Sequence, residues 1–127
     1  MNGFLGNPTI LVNDNITQHP DWRRMLKMSA ISEPSRIFVM LDEHPDYVND
    51  GNFFMHPEDI GHWHDLPSSL HAGSGSLSYA DGHAGTHRWK FASIRTKVIF
   101  SPMTVSPFLP NEKADYNWLI ESTGIKK

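Results

Sequence analysis

Asp81-Gly82 constrains this chain more than any other dipeptide in it. Asp-Gly between two short alternating runs is a strong hairpin signal, because a two-residue type I′ turn needs positive φ at both central positions. Ahead of it, Leu77 and Tyr79 alternate with Ser76, Ser78 and Ala80, the period of a half-buried strand. Behind it, residues 83–89 can run back antiparallel. A two-residue turn pairs Ala80 with His83, Ser78 with Gly85 and Ser76 with His87. Paired residues share a face. This register therefore predicts His83 and His87 on one side of the sheet, and Leu77, Tyr79 and Ala84 on the other. Nine residues separate His71 from Asp81. The Gly73-Ser74-Gly75 loop is expected to fold His71 back to meet Asp81 or a shared neighbour.

The rest of the chain supplies partners for that hairpin. Residues 35–41, bounded by Pro34 and carrying Ile37, Phe38, Val39 and Leu41, read as the best core strand, paired in the same sheet as 76–79. Asp21 is a plausible N-cap for a helix over 22–28, with Trp22, Met25 and Leu26 on one face. Residues 46–51 make a turn, Phe53-Phe54-Met55 pairs back, and 56–67 is a histidine-bearing loop. A further strand is expected over 93–100. Pro102, Pro107 and Pro110 mark a loop, after which Asn111 or Asp115 caps a final helix carrying Tyr116, Leu119 and Ile120. The expected class is α+β: a small antiparallel sheet with short flanking helices and long loops, one domain over 1–127.

Composition narrows the function. The net charge of −3, with Lys and Arg scattered apart from Arg23-Arg24 and Lys126-Lys127, argues against nucleic acid as a partner. The absence of cysteine excludes disulfides, thiolate zinc sites and cysteine nucleophiles. Stability then rests on the core or on a bound metal. The longest apolar run, 37–41, falls far short of the ~20 residues of a membrane-spanning helix. No basic stretch followed by an apolar stretch marks a secretion signal, and no glycine-rich phosphate loop supports nucleotide binding.

Acids and imidazoles cluster in two places. Asp42, Glu43, His44 and Asp46 follow the core strand, while His62, His64, His71, Asp81, His83 and His87 lie around the hairpin. If the strands are neighbours, Asp42, Glu43, His71, Asp81 and His83 are candidate ligands for a divalent metal. Oxygen-rich sets favour calcium and imidazole-rich sets favour zinc or nickel. The bland alternative is that Asp81 serves the turn and His71 pins the loop. His62-Trp63-His64 puts both imidazoles on one side of an extended segment with Trp63 opposite. Trp63 is the best candidate for an exposed aromatic that stacks on a glycan or a partner, although core packing is the commoner use of such a residue. The serines near His71 lack a strained nucleophile elbow, so no hydrolytic triad is recognisable.

Taken in order, these features resemble the H-X9-DG domain at the C-terminal end of prepilin-like proteins. Pro34 to Glu43 resembles the family's strand ending in an acidic pair, and Asn49-Asp50-Gly51-Asn52-Phe53 its following turn. Trp63-His64-Asp65-Leu66-Pro67 resembles the aromatic and proline ahead of the motif histidine. His71, Asp81-Gly82-His83 and Asp115-Tyr116-Asn117-Trp118-Leu119 complete the series. Met1-Asn2-Gly3-Phe4-Leu5-Gly6 resembles an internal family segment, so the likeness covers roughly residues 1–119. The chain departs from the family in showing no prepilin cleavage signal and no apolar stem helix.

The resemblance implies a non-catalytic head domain acting in assembly or recognition outside the cytoplasm. Its partners would be other pilin-like subunits or secretion proteins, with a glycan as a further candidate ligand. Calcium fits by analogy with pseudopilins of type II secretion. Two other readings compete: a metal-dependent hydrolase built on the Asp/His cluster, and a carbohydrate-binding module.

Overall fold

The computed structural model of the chain describes residues 23, 25–49, 51–53, 55, 61–91, 94–102, 106–107 and 110–124. Five strands and one helix appear in them: β1 (Phe38–Leu41), β2 (His62–Trp63), β3 (Ser74–Tyr79), β4 (Ala84–Arg88), β5 (Ser106–Pro107) and α1 (Lys113–Thr123). An antiparallel sheet has the order β1-β3-β4, and β2 pairs with β5. This is the expected α+β architecture, with β1 and β3 side by side and Phe38 fully buried.

β1 is shorter than residues 35–41 because Pro34, Ser35 and Arg36 form a turn. Its ladder pairs Phe38 with Tyr79 and Met40 with Ser78, so Val39 is an extra residue against the partner strand. That bulge bends β1. Ordinary alternation sends the neighbours Ile37 and Phe38 to opposite sides, where each is buried in a different cluster, and the bulge brings Leu41 round to the Phe38 side. Phe38 joins Tyr47, Trp63, Leu66, Leu77, Trp89, Tyr116 and Leu119 in the main core. Ile37 packs with Met25, Ile31 and Ala80.

The hairpin forms where Asp81-Gly82 predicts it, but one residue out of the expected register. The ladder pairs Ser78 with Ala84, Leu77 with Gly85 and Gly75 with His87. The loop holds three residues, Ala80, Asp81 and Gly82. The Tyr79 N–H donates to the His83 carbonyl at 2.9 Å, and the Gly82 N–H donates to the Tyr79 carbonyl at 3.0 Å. Gly82, at φ 94°, takes the left-handed position that closes such a loop. The Asp81 carboxylate accepts from the His83 N–H at 3.1 Å, the local bond that favours Asp in turns. A shift of one residue turns a strand over. His83 and His87 therefore lie on the Leu77 and Tyr79 side, not opposite it.

A two-residue turn occurs instead at Ala72-Gly73. Both have positive φ, 53° and 83°, and His71 and Ser74 exchange backbone hydrogen bonds of 3.2 and 3.0 Å across it.

α1 follows a 3-10 turn over Pro110–Glu112, with Glu112 at the N-cap position in place of Asn111 or Asp115. Tyr116 and Leu119 are buried as expected, and Ile120 packs at the edge of the core. The Arg36 guanidinium donates to the Glu121 carbonyl in the last turn, tying α1 to the loop before β1.

Two expected elements are replaced. Asp21, Trp22 and Arg24 lie outside the described residues, as do Phe54 and 56–60. Met25 is buried while Leu26 is 60% exposed, and Lys27 is extended ahead of a 3-10 turn over Met28–Ala30. One helical face would have buried both. Among the described residues of 93–100 there is no strand: Ile94 is buried, and the segment is held by side chains rather than by a ladder.

Candidate functional site

The residues expected to converge on a metal are divided into two pairs. His71 Nε2 lies 3.2 Å from Asp42 Oδ2, with both side chains about half exposed. This pair joins the Ala72-Gly73 turn to the end of β1. At the other end of β3, about 20 Å away along a six-residue strand, Asp81 Oδ1 lies 2.5 Å from His83 Nδ1. His83 also stacks on Tyr79, with ring centroids 4.2 Å apart. The His83 backbone N–H, and then its side chain, hold the Asp81 carboxyl below its ordinary value. Glu43 is half-buried and bridges to Pro67.

β3 is extended over Ser74–Tyr79. Its length keeps His71 and Asp81 apart, so the expected meeting of the two is corrected. Asp42, Glu43, His71, Asp81 and His83 do not form one ligand set for calcium or another divalent metal. Among the described residues no three His, Asp or Glu side chains are placed to share an ion.

Trp63 is also corrected. It is 1% exposed, with its ring edge-on to Tyr116 at 4.8 Å. Tyr116 of α1 and the rest of the main core cover the face expected to stack on a glycan. His62 and His64 do lie together on the other side, ring centroids 4.8 Å apart. Burial, and then the neighbouring His62, push the His64 imidazole below its ordinary 6.5.

The flipped register gives His87 a different environment. Its ring lies flat on Trp118, centroids 3.5 Å apart, and edge-on to Trp89 at 4.7 Å. Nε2 is 3.8 Å from Asp115 Oδ1, too long for a hydrogen bond, so the carboxylate acts on it through space. Burial lowers the His87 pKa, Asp115 pulls it back up, and Lys90 lowers it further. Asp115 is 1% exposed, and its Oδ2 accepts from the Lys90 and Phe91 N–H groups at 2.8 and 3.1 Å. Thus the motif acid of the last helix is a clasp on the chain leaving β4.

Two further buried groups clasp the same chain downstream. His44 is fully buried; Nδ1 accepts from the Asp46 N–H at 3.2 Å, and Nε2 faces the Thr96 carbonyl at 3.3 Å. A proton on Nε2 fits both partners. Asp46, 5% exposed, accepts from the Ile99 N–H at 2.8 Å and the Ser101 N–H at 3.2 Å. Between those two donors Phe100 takes φ 55° and stands 90% exposed.

The 89–102 loop is therefore anchored from Asp115, His44 and Asp46, and its described residues contain no helix or strand. Loops this long inside small domains are commonly functional. Its middle faces the His71 turn across an open cleft of about 630 Å³. The cleft is lined by residues 69–70 and 72–73 on one side and Arg95, Thr96, Lys97 and Val98 on the other. Arg95 is braced by the carbonyls of Phe91 at 3.4 Å and Lys90 at 3.3 Å. Two of its five donors are engaged, which leaves three for a ligand.

Sequence reasoning missed this loop as a site. The available signal was charge: Arg88, Lys90, Arg95 and Lys97 fall within ten residues that contain no acid.

No family model, curated protein or solved structure matches this chain. The class it belongs to is defined by its fold alone, a small α+β domain with a three-stranded antiparallel sheet. None of its described helices is long and apolar enough to cross a membrane.

Proposed function

We propose that this chain is a non-catalytic recognition or assembly head of the prepilin-like type, working outside the cytoplasm alongside other pilin-like subunits or secretion proteins. One observation carries the reading. The 89–102 loop is fixed to the core by three buried side chains while it presents Arg95, Lys97, Ile99 and Phe100 to solvent. Recognition surfaces are commonly loops held by a rigid scaffold. The sequence motifs support the same reading, because His71 and Asp115 each tie two elements together and Asp81 closes the β3–β4 loop. Such ties suit a scaffold that displays a surface.

The test is photo-crosslinking in the source cells, with a benzophenone amino acid in place of Leu70, which is 61% exposed at the cleft. Adducts with a pilin-like or secretion subunit are expected. A crosslink map without such a subunit overturns the reading. So does metal-dependent hydrolysis of esters, phosphate esters or glycosides by the purified chain that is lost in His71→Ala or Asp81→Ala.

A further inference from the structure

The geometry points to the cleft between the His71–Ser74 turn and the 95–98 segment as the docking site for an acidic, extended peptide segment of a partner protein. Its carboxylates would lie on Arg95 and Lys97, and an apolar side chain between them on Leu70 and Val98. The inference rests on the recognition reading and names the partner chemistry of that same site.

Three independent observations support it. The first is charge. Arg95 and Lys97 are exposed on one wall, and no described carboxylate forms an ion pair with either. Arg95 is held in place by two backbone carbonyls, so little is lost in ordering it for a bidentate carboxylate.

The second is backbone strain. Ala72 and Phe100 are the described non-glycine residues with positive φ. Ala72 lies in one wall of the cleft; Phe100 lies outside it, two residues beyond Val98 and against Pro45 and Val48. Sparsely populated backbone persists where the surroundings enforce it, and it concentrates at binding sites.

The third is apolar exposure next to the charge. Leu70, 61% exposed, lines one wall of the cleft, and Val98 stands beside Lys97 in the other. The mixture favours a peptide over a polyphosphate or sulfated chain, which offers no apolar side chain to Leu70 and Val98.

The fit of the cleft also depends on Gly73. A Cβ there would stand 3.2 Å from Arg95 Cδ, at a φ of +83° that strains any other residue.

The experiment is an array of synthetic nine-residue peptides, some with two Glu residues flanking Leu or Val, others with Gln in place of Glu. It is probed with the purified chain, and hits are titrated by fluorescence anisotropy at low and physiological salt. Glu peptides should bind and Gln peptides should not. Arg95→Gln and Lys97→Gln should each weaken binding about tenfold, with a shallower salt dependence, while Arg88→Gln changes it little. Circular dichroism confirms that the variants fold. Enrichment that ignores Glu, or affinity unchanged in Arg95→Gln and Lys97→Gln, overturns the proposal. So does tighter binding of a heparin oligosaccharide or an oligonucleotide than of any peptide. If the peptides fail while crosslinking at position 70 still recovers a pilin-like subunit, the recognition reading stands and this assignment alone falls.

Discussion

The imidazole of His71 stands 3.2 Å from the Asp42 carboxylate, and both groups are about half in water. An exposed pair of this kind contributes about 0–1 kcal/mol. His71→Ala or Asp42→Ala should therefore lower stability in urea by less than about 1 kcal/mol. Asp115 is the opposite case, since it is 1% exposed and accepts two backbone N–H groups. Asp115→Ala takes the partner from both donors and should cost about 1–3 kcal/mol. If His71→Ala proves the costlier change, the ranking of the two motif ties is wrong.

Histidine burial gives stability a pH dependence. The folded-state pKa values of His64 and His87 are both lowered from 6.5, chiefly by burial. Below 6.5 the unfolded chain takes up protons that the folded chain resists. Stability should be full above 6.5 and fall as the pH drops from there towards the lowered folded-state values. Melting temperatures from pH 8 to 5 should show this decline, and His87→Gln should flatten part of it. NMR titration of the His87 ring should give a midpoint under 6.5.

Gly75 sets how closely the hairpin packs on Trp89. A Cβ at position 75 would lie 2.7 Å from the Ser68 carbonyl and 3.2 Å from the indole. That same carbonyl accepts the Trp89 Nε1–H at 2.8 Å. Gly75→Ala should destabilise by about 1–3 kcal/mol through overpacking and shift the tryptophan fluorescence. Gly85→Ala, with open space around its Cβ, is the control.

Phe100 shows how stability and display can oppose each other. It is 90% exposed and left-handed at φ 55°, so it contributes little burial and carries backbone strain. Phe100→Gly should leave the chain no less stable, and up to about 1 kcal/mol more stable, because glycine takes that φ freely. A clear loss of stability in chemical denaturation would mean that the ring packs on the fold.

The sequence by itself determined that β1, β3 and β4 share one sheet. The β-branched and aromatic content of β1, the alternation of β3 and the Asp-Gly turn after it place three strands in one sheet, because side-chain period and turn chemistry are local properties. Tertiary structure decided the register. Asp-Gly suits both a two-residue turn and the last two positions of a three-residue loop, and the choice fell to what each face could bury. That one-residue difference put His87 between Trp89 and Trp118. It could not be read from spacing, because both registers satisfy the same local rules. The motif acids and imidazoles followed the same logic. Spacing suggested that His71 and Asp81 meet, whereas an extended β3 holds them at opposite ends and gives each a nearer partner. Trp63 went inside because Tyr116, more than fifty residues downstream, packs on it. The anchoring of the 89–102 loop by His44, Asp46 and Asp115 was likewise invisible along the chain. Each clasp is a long-range bond, and only the folded path brings its two ends together.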